Sequence, residues 1–111
     1  MEIPEVLYHA THKDNVDSIW MHGLHVGNQG LTYLADSING AAAFLVVRGM
    51  KLEDVMVFEI EASDLDQKLI DYGSDHNTNF FKGIEVYTYP ADIDPMCINN
   101  LYELFYKTEE S

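Results

Sequence analysis

The sequence feature that most constrains the possible fold of this chain is a set of three short apolar segments. Each contains one side chain suited to binding or catalysis. They span residues 6–12, 30–35 and 83–88 and contain, in that order, His9, Tyr33 and Glu85. Short apolar runs bounded by turn residues are typical of strands. Side chains on three such strands can meet in one pocket only if the strands lie close together, in one sheet or in two facing sheets.

Two helices are predicted between these segments. The apolar spacing within residues 16–20 predicts a first helix, which Thr11 is expected to cap and Gly23 to end. Asp36 is expected to cap a second helix that runs through residues 41–47. The apolar faces of both helices are interpreted as core.

The other regular segments read as strands. They are predicted near residues 5–9, 31–35, 55–60 and 84–89, with a shorter run at 68–72. Residues 98–106 fit either a last strand or a terminal helix, and their Tyr and Phe content favours the strand. The run at 55–60 is the clearest, because β-branched residues are frequent in it, and it is expected at the centre of the sheet. Residues 73–80 are polar and rich in turn formers, so we expect a surface loop there. Two helices among five or six strands predict one α+β domain over residues 1–111.

The net charge of −13 limits the partners this chain can bind. Six Lys and Arg face nineteen Asp and Glu, and fourteen of the acids lie in residues 51–111. Because few basic side chains are available to neutralise phosphates, binding to duplex nucleic acid is disfavoured. A protein or a small molecule is the expected partner, although charge of this kind can also serve solubility alone.

The first residues, the apolar runs and the cysteine content predict the cellular compartment of the protein. The first five residues are acidic where a signal peptide is basic, and no apolar run is long enough for a membrane helix. Cys97 is the single cysteine, so no internal disulfide can form, as is usual in a reducing compartment. We therefore expect no membrane association and a cytoplasmic location, in a cell or in an infected host.

Metal and phosphate motifs are not found in the sequence. His9 and His12 are expected on different elements, and so are His22 and His25, whereas zinc needs three or four ligands at one point. Residues 75–79 resemble the start of a calcium loop, but the required Gly and closing Glu are missing. No glycine-rich phosphate loop occurs. We expect no metal site.

The three opening segments resemble the ADP-ribosyltransferase superfamily. In that fold the first strand ends in His-Gly-Thr or a close variant, a helix then ends in Gly-Leu, the next strand carries Tyr or His, and a late strand carries a catalytic Glu. The matching residues are 7–11, 22–24, 32–34 and 84–87, and the similarity covers about residues 5–98. The pattern is similar to the His-Tyr-Glu type.

Two other branches share part of the pattern. The amino-terminal stretch also resembles RNA 2′-phosphotransferases, and the late strand is similar to that of DNA-targeting ADP-ribosyltransferase toxins. The phosphotransferases use several basic side chains on the phosphate, whereas this chain offers only Arg48, at a predicted helix end. The Arg-Ser-Glu toxins have an Arg where His9 stands.

The resemblance implies a compact split β-sheet core with two main helices and a mono-ADP-ribosyltransferase activity. Such an enzyme uses NAD as substrate and transfers ADP-ribose to a macromolecule, here more readily a protein than a nucleic acid given the charge. A toxin or a phage or mobile-element effector would suit the size. A catalytically inactive relative that covers a basic partner surface, and an RNA 2′-phosphotransferase-like enzyme, are the alternatives.

The resemblance also implies a role for each matched residue. Cleavage of the bond between nicotinamide and ribose develops positive charge on the ribose, which a carboxylate stabilises. Glu85 would be that catalytic carboxylate, and His9 would bind the ribose. The Ala10 backbone would hold the carboxamide, Thr11 would support His9 or cap the helix, and Tyr33 would stack on the nicotinamide. Ala10 replaces the usual Gly, and no basic residue beside His9 is available for the NAD diphosphate.

Overall fold

Six antiparallel strands form one sheet in the computed structural model, which describes residues 3–26, 30, 32–72 and 86–103. The strands are β1 (Val6–His12), β2 (Thr32–Ala35), β3 (Val55–Glu61), β4 (Asp71–Tyr72), β5 (Val86–Tyr89) and β6 (Ile98–Glu103). The helices are α1 (Val16–His22) and α2 (Ile38–Val46). The order across the sheet is β4-β5-β2-β1-β3-β6. The predicted α+β class is confirmed.

The two neighbours of β1 are paired with it to very different extents. β3 pairs with β1 along its whole length, from Val6 opposite Glu61 to His12 opposite Val55. Between β1 and β2, both fully described, pairing is confined to Tyr8 opposite Ala35. On its other side, β2 is paired with β5 along its whole length. The sheet is therefore weakly joined between its third and fourth strands, immediately next to His9.

Two hydrophobic clusters lie on the two faces of the sheet. Leu7, Phe58 and Ile60 belong to the cluster that includes Ile19 of α1. Val55 and Val57 belong to the other, together with Ala10 and the α2 residues Ala41, Ala42 and Phe44. Because β3 is buried on both faces, its sequence is almost continuously apolar. β3 lies inside the sheet, but it is the fifth of six strands and therefore next to an edge strand rather than at the predicted centre.

Both predicted N-caps are wrong: the N-cap of α1 is Asn15 rather than Thr11, and that of α2 is shifted by one residue. Thr11 is a strand residue, because pairing with β3 keeps the chain extended through His12. A single 3-10 turn, Lys13–Asn15, then leads into α1. At α2 the cap is Ser37 rather than Asp36, and its Oγ accepts a hydrogen bond from the Gly40 N–H at 2.9 Å.

Three further strand predictions are confirmed, whereas one loop prediction falls outside the described residues. The last segment is a strand, as predicted, over Ile98–Glu103. The predicted strands near 31–35 and 84–89 are confirmed over the described Thr32–Ala35 and Val86–Tyr89. The predicted loop at 73–80 lies outside the described residues. Neither described helix has the length and apolar character needed to cross a membrane.

Candidate functional site

A small pocket lies where β1 and β2 separate and α2 passes over them. Its volume is about 100 Å³. Five of its lining residues are apolar or aromatic: Ala10, Tyr33, Ala41, Phe44 and Leu45. The other two are His9 and Arg48. The fold therefore brings His9, Ala10 and Tyr33, which the sequence singled out, to one pocket.

The His9 ring is held by the neighbouring strand. Its Nδ1 lies 3.0 Å from the Tyr33 carbonyl oxygen. Since a carbonyl oxygen can only accept, Nδ1 carries the hydrogen and donates it. This side-chain bond joins β1 to β2 just beyond their one backbone pair. It leaves Nε2 of the neutral ring as a hydrogen-bond acceptor.

Nε2 of His9 is available to a ligand. Within the described residues this atom has no hydrogen-bond partner, and no fully buried side-chain nitrogen or oxygen there lacks one. A neutral imidazole nitrogen accepts a hydroxyl hydrogen well, so Nε2 could serve as an acceptor for an alcohol group of a ligand bound beside His9.

Burial keeps His9 uncharged. Desolvation lowers the pKa of its imidazole below the ordinary value, and the hydrogen bond to the Tyr33 carbonyl opposes this in part. Desolvation acts this way because it penalises the charged form of the ring. At neutral pH the pocket therefore contains a neutral His rather than a cation.

His9 is expected to make the protein less stable in mild acid. Its folded-state pKa is depressed, so the unfolded chain takes up a proton more readily than the folded one as the pH falls below about 6.5. The free energy of unfolding should fall over this range and level off once the folded ring is protonated. Urea unfolding between pH 5.5 and 7.5 measures it, with His9→Gln as comparison. If both proteins show the same slope, His9 is not the group responsible.

The rest of the pocket wall is apolar and partly aromatic. The rings of Tyr33 and Phe44 have centroids 5.8 Å apart and planes tilted by 39°. Tyr33 is half-buried, whereas Phe44 is buried. Aromatic and small apolar walls of this kind accept a flat ring, which loses little hydration on entering.

Arg48 lines the pocket, although the sequence did not predict it as a site residue. It was predicted at a helix end, and no basic residue was expected near the early motif. In the fold it lies two residues beyond α2 and lines the same pocket as His9. The signal was present in the spacing, because Ala41, Phe44, Leu45 and Arg48 follow the i, i+3, i+4, i+7 pattern of one helix face.

Of the predicted site residues that the structure describes, Thr11 is not found in the pocket lining. The Thr11 hydroxyl accepts a hydrogen bond from the Asn15 side-chain amide at 3.0 Å, which ties the end of β1 to the start of α1. Thr11 is buried and supports this turn. Glu85 lies outside the described residues; in the sequence it directly precedes Val86, the first residue of β5. The ligand roles of all five predicted residues remain predictions.

Two further polar groupings lie at the surface. His25 Nδ1 lies 3.0 Å from Asp92 Oδ2, and the other carboxylate oxygen accepts from the Val26 N–H at 3.0 Å. Lys13 Nζ and Asp54 Oδ1 are 3.2 Å apart. Across the described ranges no three His, Cys, Asp or Glu side chains are placed as metal ligands would be.

A larger surface hollow, of about 630 Å³, shares no described lining residue with the pocket at His9. Its described lining residues are Ile3, Pro4, Glu5, Ser63 and Gln67. Among these, Glu5 is the one charged residue, and none is aromatic or cationic. The smaller pocket at His9 is therefore the better candidate site.

The comparisons with known proteins do not assign a family. No known family profile matches the chain, and no curated protein sequence matches it significantly. Functional inference consequently depends on the pocket and on the residues that form it.

Proposed function

We propose that this protein is a mono-ADP-ribosyltransferase of the His-Tyr-Glu type, which cleaves NAD and transfers ADP-ribose to a macromolecule. The observation that carries the proposal is the convergence of His9 and Tyr33. Their segments are 24 residues apart in the chain, yet a 3.0 Å hydrogen bond joins them and both line one pocket. The resemblance requires these two residues to lie in one pocket. The residue pattern alone could not predict whether they do.

The sheet supports the same proposal at the level of architecture. An ADP-ribosyltransferase-like core is split between strands, and here β1 and β2 are paired at one position only. The pocket opens at that separation. β5 is paired with β2, Ala35 lying opposite Val86, so the segment that follows Glu85 in sequence is next to the strand that carries Tyr33.

The pocket chemistry fits the nicotinamide end of NAD. Tyr33 and Phe44 offer aromatic surface for the flat ring, and Nε2 of His9 offers an acceptor for a ribose hydroxyl. Glu85 is the proposed carboxylate that stabilises the positive charge developing on the ribose as nicotinamide leaves. A protein is the proposed acceptor, because a net charge of −13 repels nucleic acid.

A double-label experiment tests this activity. The protein is incubated with a cell lysate and either NAD labelled in the adenylate phosphate or NAD labelled in nicotinamide. We expect adenylate label on a lysate protein, removable by protease but not by nuclease, and nicotinamide label in the free fraction. Release of nicotinamide without transfer would indicate hydrolysis, and the absence of both signals would contradict the proposal.

The same preparation separates the alternatives. An RNA 2′-phosphotransferase-like enzyme would consume NAD only when an RNA bearing an internal 2′-phosphate is supplied. A catalytically inactive acidic protein would leave NAD intact and bind a basic protein with an affinity that falls steeply as salt is raised.

A further inference from the structure

Arg48 adds a positive charge to a pocket whose other polar residue is neutral. The residue is exposed yet contributes to the lining, so it lies at the rim of the pocket. Within the described residues no carboxylate forms an ion pair with it. The lowered pKa of His9 removes that ring as a second cation at neutral pH.

The other described cations are placed differently. Lys13 is paired with Asp54, and the hydrogen bond to Asp54 raises the pKa of its ammonium. Lys51 and Lys68 do not line the pocket. On a protein of charge −13, an anion approaching the pocket is repelled by the overall field. Arg48 is the one cation among the described lining residues, and it therefore has a large influence on whether an anionic ligand binds.

We infer that Arg48 makes the pocket selective for ligands that carry phosphate, and that it binds the phosphate groups of a nucleotide whose sugar and ring lie toward His9 and Tyr33. This inference rests on the proposed function and deepens it. A guanidinium offers paired N–H donors that match two phosphate oxygens, in contrast to the point charge of an ammonium. The apolar wall next to Arg48 takes the uncharged part of the same ligand.

Calorimetric titration with two ligands measures the selectivity. ADP-ribose carries the diphosphate, and nicotinamide riboside carries ring and sugar without phosphate. Arg48→Gln is expected to weaken ADP-ribose binding about 10- to 100-fold. It is not expected to weaken binding of nicotinamide riboside, whose pyridinium ring is itself positively charged and gains nothing from Arg48. Arg48→Lys should give an intermediate loss, because it keeps the charge but not the paired donors. Lys51→Gln removes the same charge three residues away, outside the pocket, and is expected to have little effect.

Salt and thermal controls complete the test. The wild-type affinity for ADP-ribose should fall with rising salt more steeply than that of Arg48→Gln. Equal losses in Arg48→Gln and Lys51→Gln would overturn the inference, because they would indicate general charge rather than contact. An equal loss for both ligands in Arg48→Gln, or no binding of ADP-ribose by the wild type, would also overturn it. Unchanged melting temperatures show that the variants are folded.

The role inferred for Arg48 and the proposed transferase activity can fail independently of each other. If ADP-ribose binds through Arg48 but NAD is never cleaved, the transferase proposal fails and the inference stands. If NAD is cleaved and Arg48→Gln retains the wild-type KM, the inference fails and the transferase proposal stands.

Discussion

Replacement of Glu85 by Gln is expected to reduce NAD cleavage by about 10²- to 10³-fold. Gln has nearly the same shape as Glu and can still bind a hydroxyl, but it has no negative charge. The charge matters most when nicotinamide leaves, because the ribose then becomes positively charged. The loss should therefore fall on kcat, with a smaller change in KM for NAD.

Release of nicotinamide in the absence of any acceptor measures this effect. Glu53→Gln is the matched control, because it removes one exposed carboxylate next to β3 and leaves the pocket lining unchanged. Binding of ADP-ribose to Glu85→Gln shows whether the variant keeps its site. Equal rates for wild type and Glu85→Gln would exclude Glu85 as the catalytic carboxylate.

Replacement of Gly23 by Ala is expected to destabilise the protein by about 3 kcal/mol or more. Gly23 ends α1 with φ +84° and ψ −170°, a conformation that side chains rarely adopt. An added Cβ would also collide with the Ile93 carbonyl oxygen and lie 2.8 Å from Pro95 Cδ. That carbonyl accepts the Leu24 N–H at 2.9 Å, so its displacement would weaken the bridge between α1 and the segment before β6.

Chemical unfolding of Gly23→Ala and Gly49→Ala separates strain from collision. Gly49 has φ +103°, but a Cβ there would meet nothing within 4 Å. Its replacement should therefore cost only the backbone strain, about 1–2 kcal/mol. If both variants lose the same stability, the close approach to Ile93 is not the reason for glycine at position 23.

The strands and helices followed from local patterns because their signals lie within a few residues. The β-branched run at 55–60 predicted β3, and the turn chemistry at Gly23 predicted the end of α1. The N-cap predicted at Thr11 failed for a non-local reason. Pairing of His12 with Val55 extends β1 past Thr11, and no residue near Thr11 in sequence indicates that partner.

The candidate site was predicted in part. His9, Ala10 and Tyr33 were selected by order and resemblance, and the fold brings all three to one pocket. Thr11 was grouped with them by the resemblance, yet its hydroxyl accepts a hydrogen bond from Asn15. The strand pattern could not predict this contact, because it depends on how the chain turns from β1 into α1 after His12. Arg48 was separated from the early motif in sequence, but α2 returns it to the pocket.

The sequence alone determined which side chains are available: a His, a Tyr and a Glu on apolar runs, few cations, and a strong negative charge. The tertiary structure decided which of them meet. In the fold, backbone pairing between β1 and β2 is confined to Tyr8 and Ala35, and the side chain of His9 binds the Tyr33 carbonyl next to that pair. The fold also places Arg48 at the rim of the pocket. The reason is physical. Strand and helix patterns arise from local backbone and side-chain preferences, whereas a pocket arises from long-range pairing and packing, which no short segment encodes.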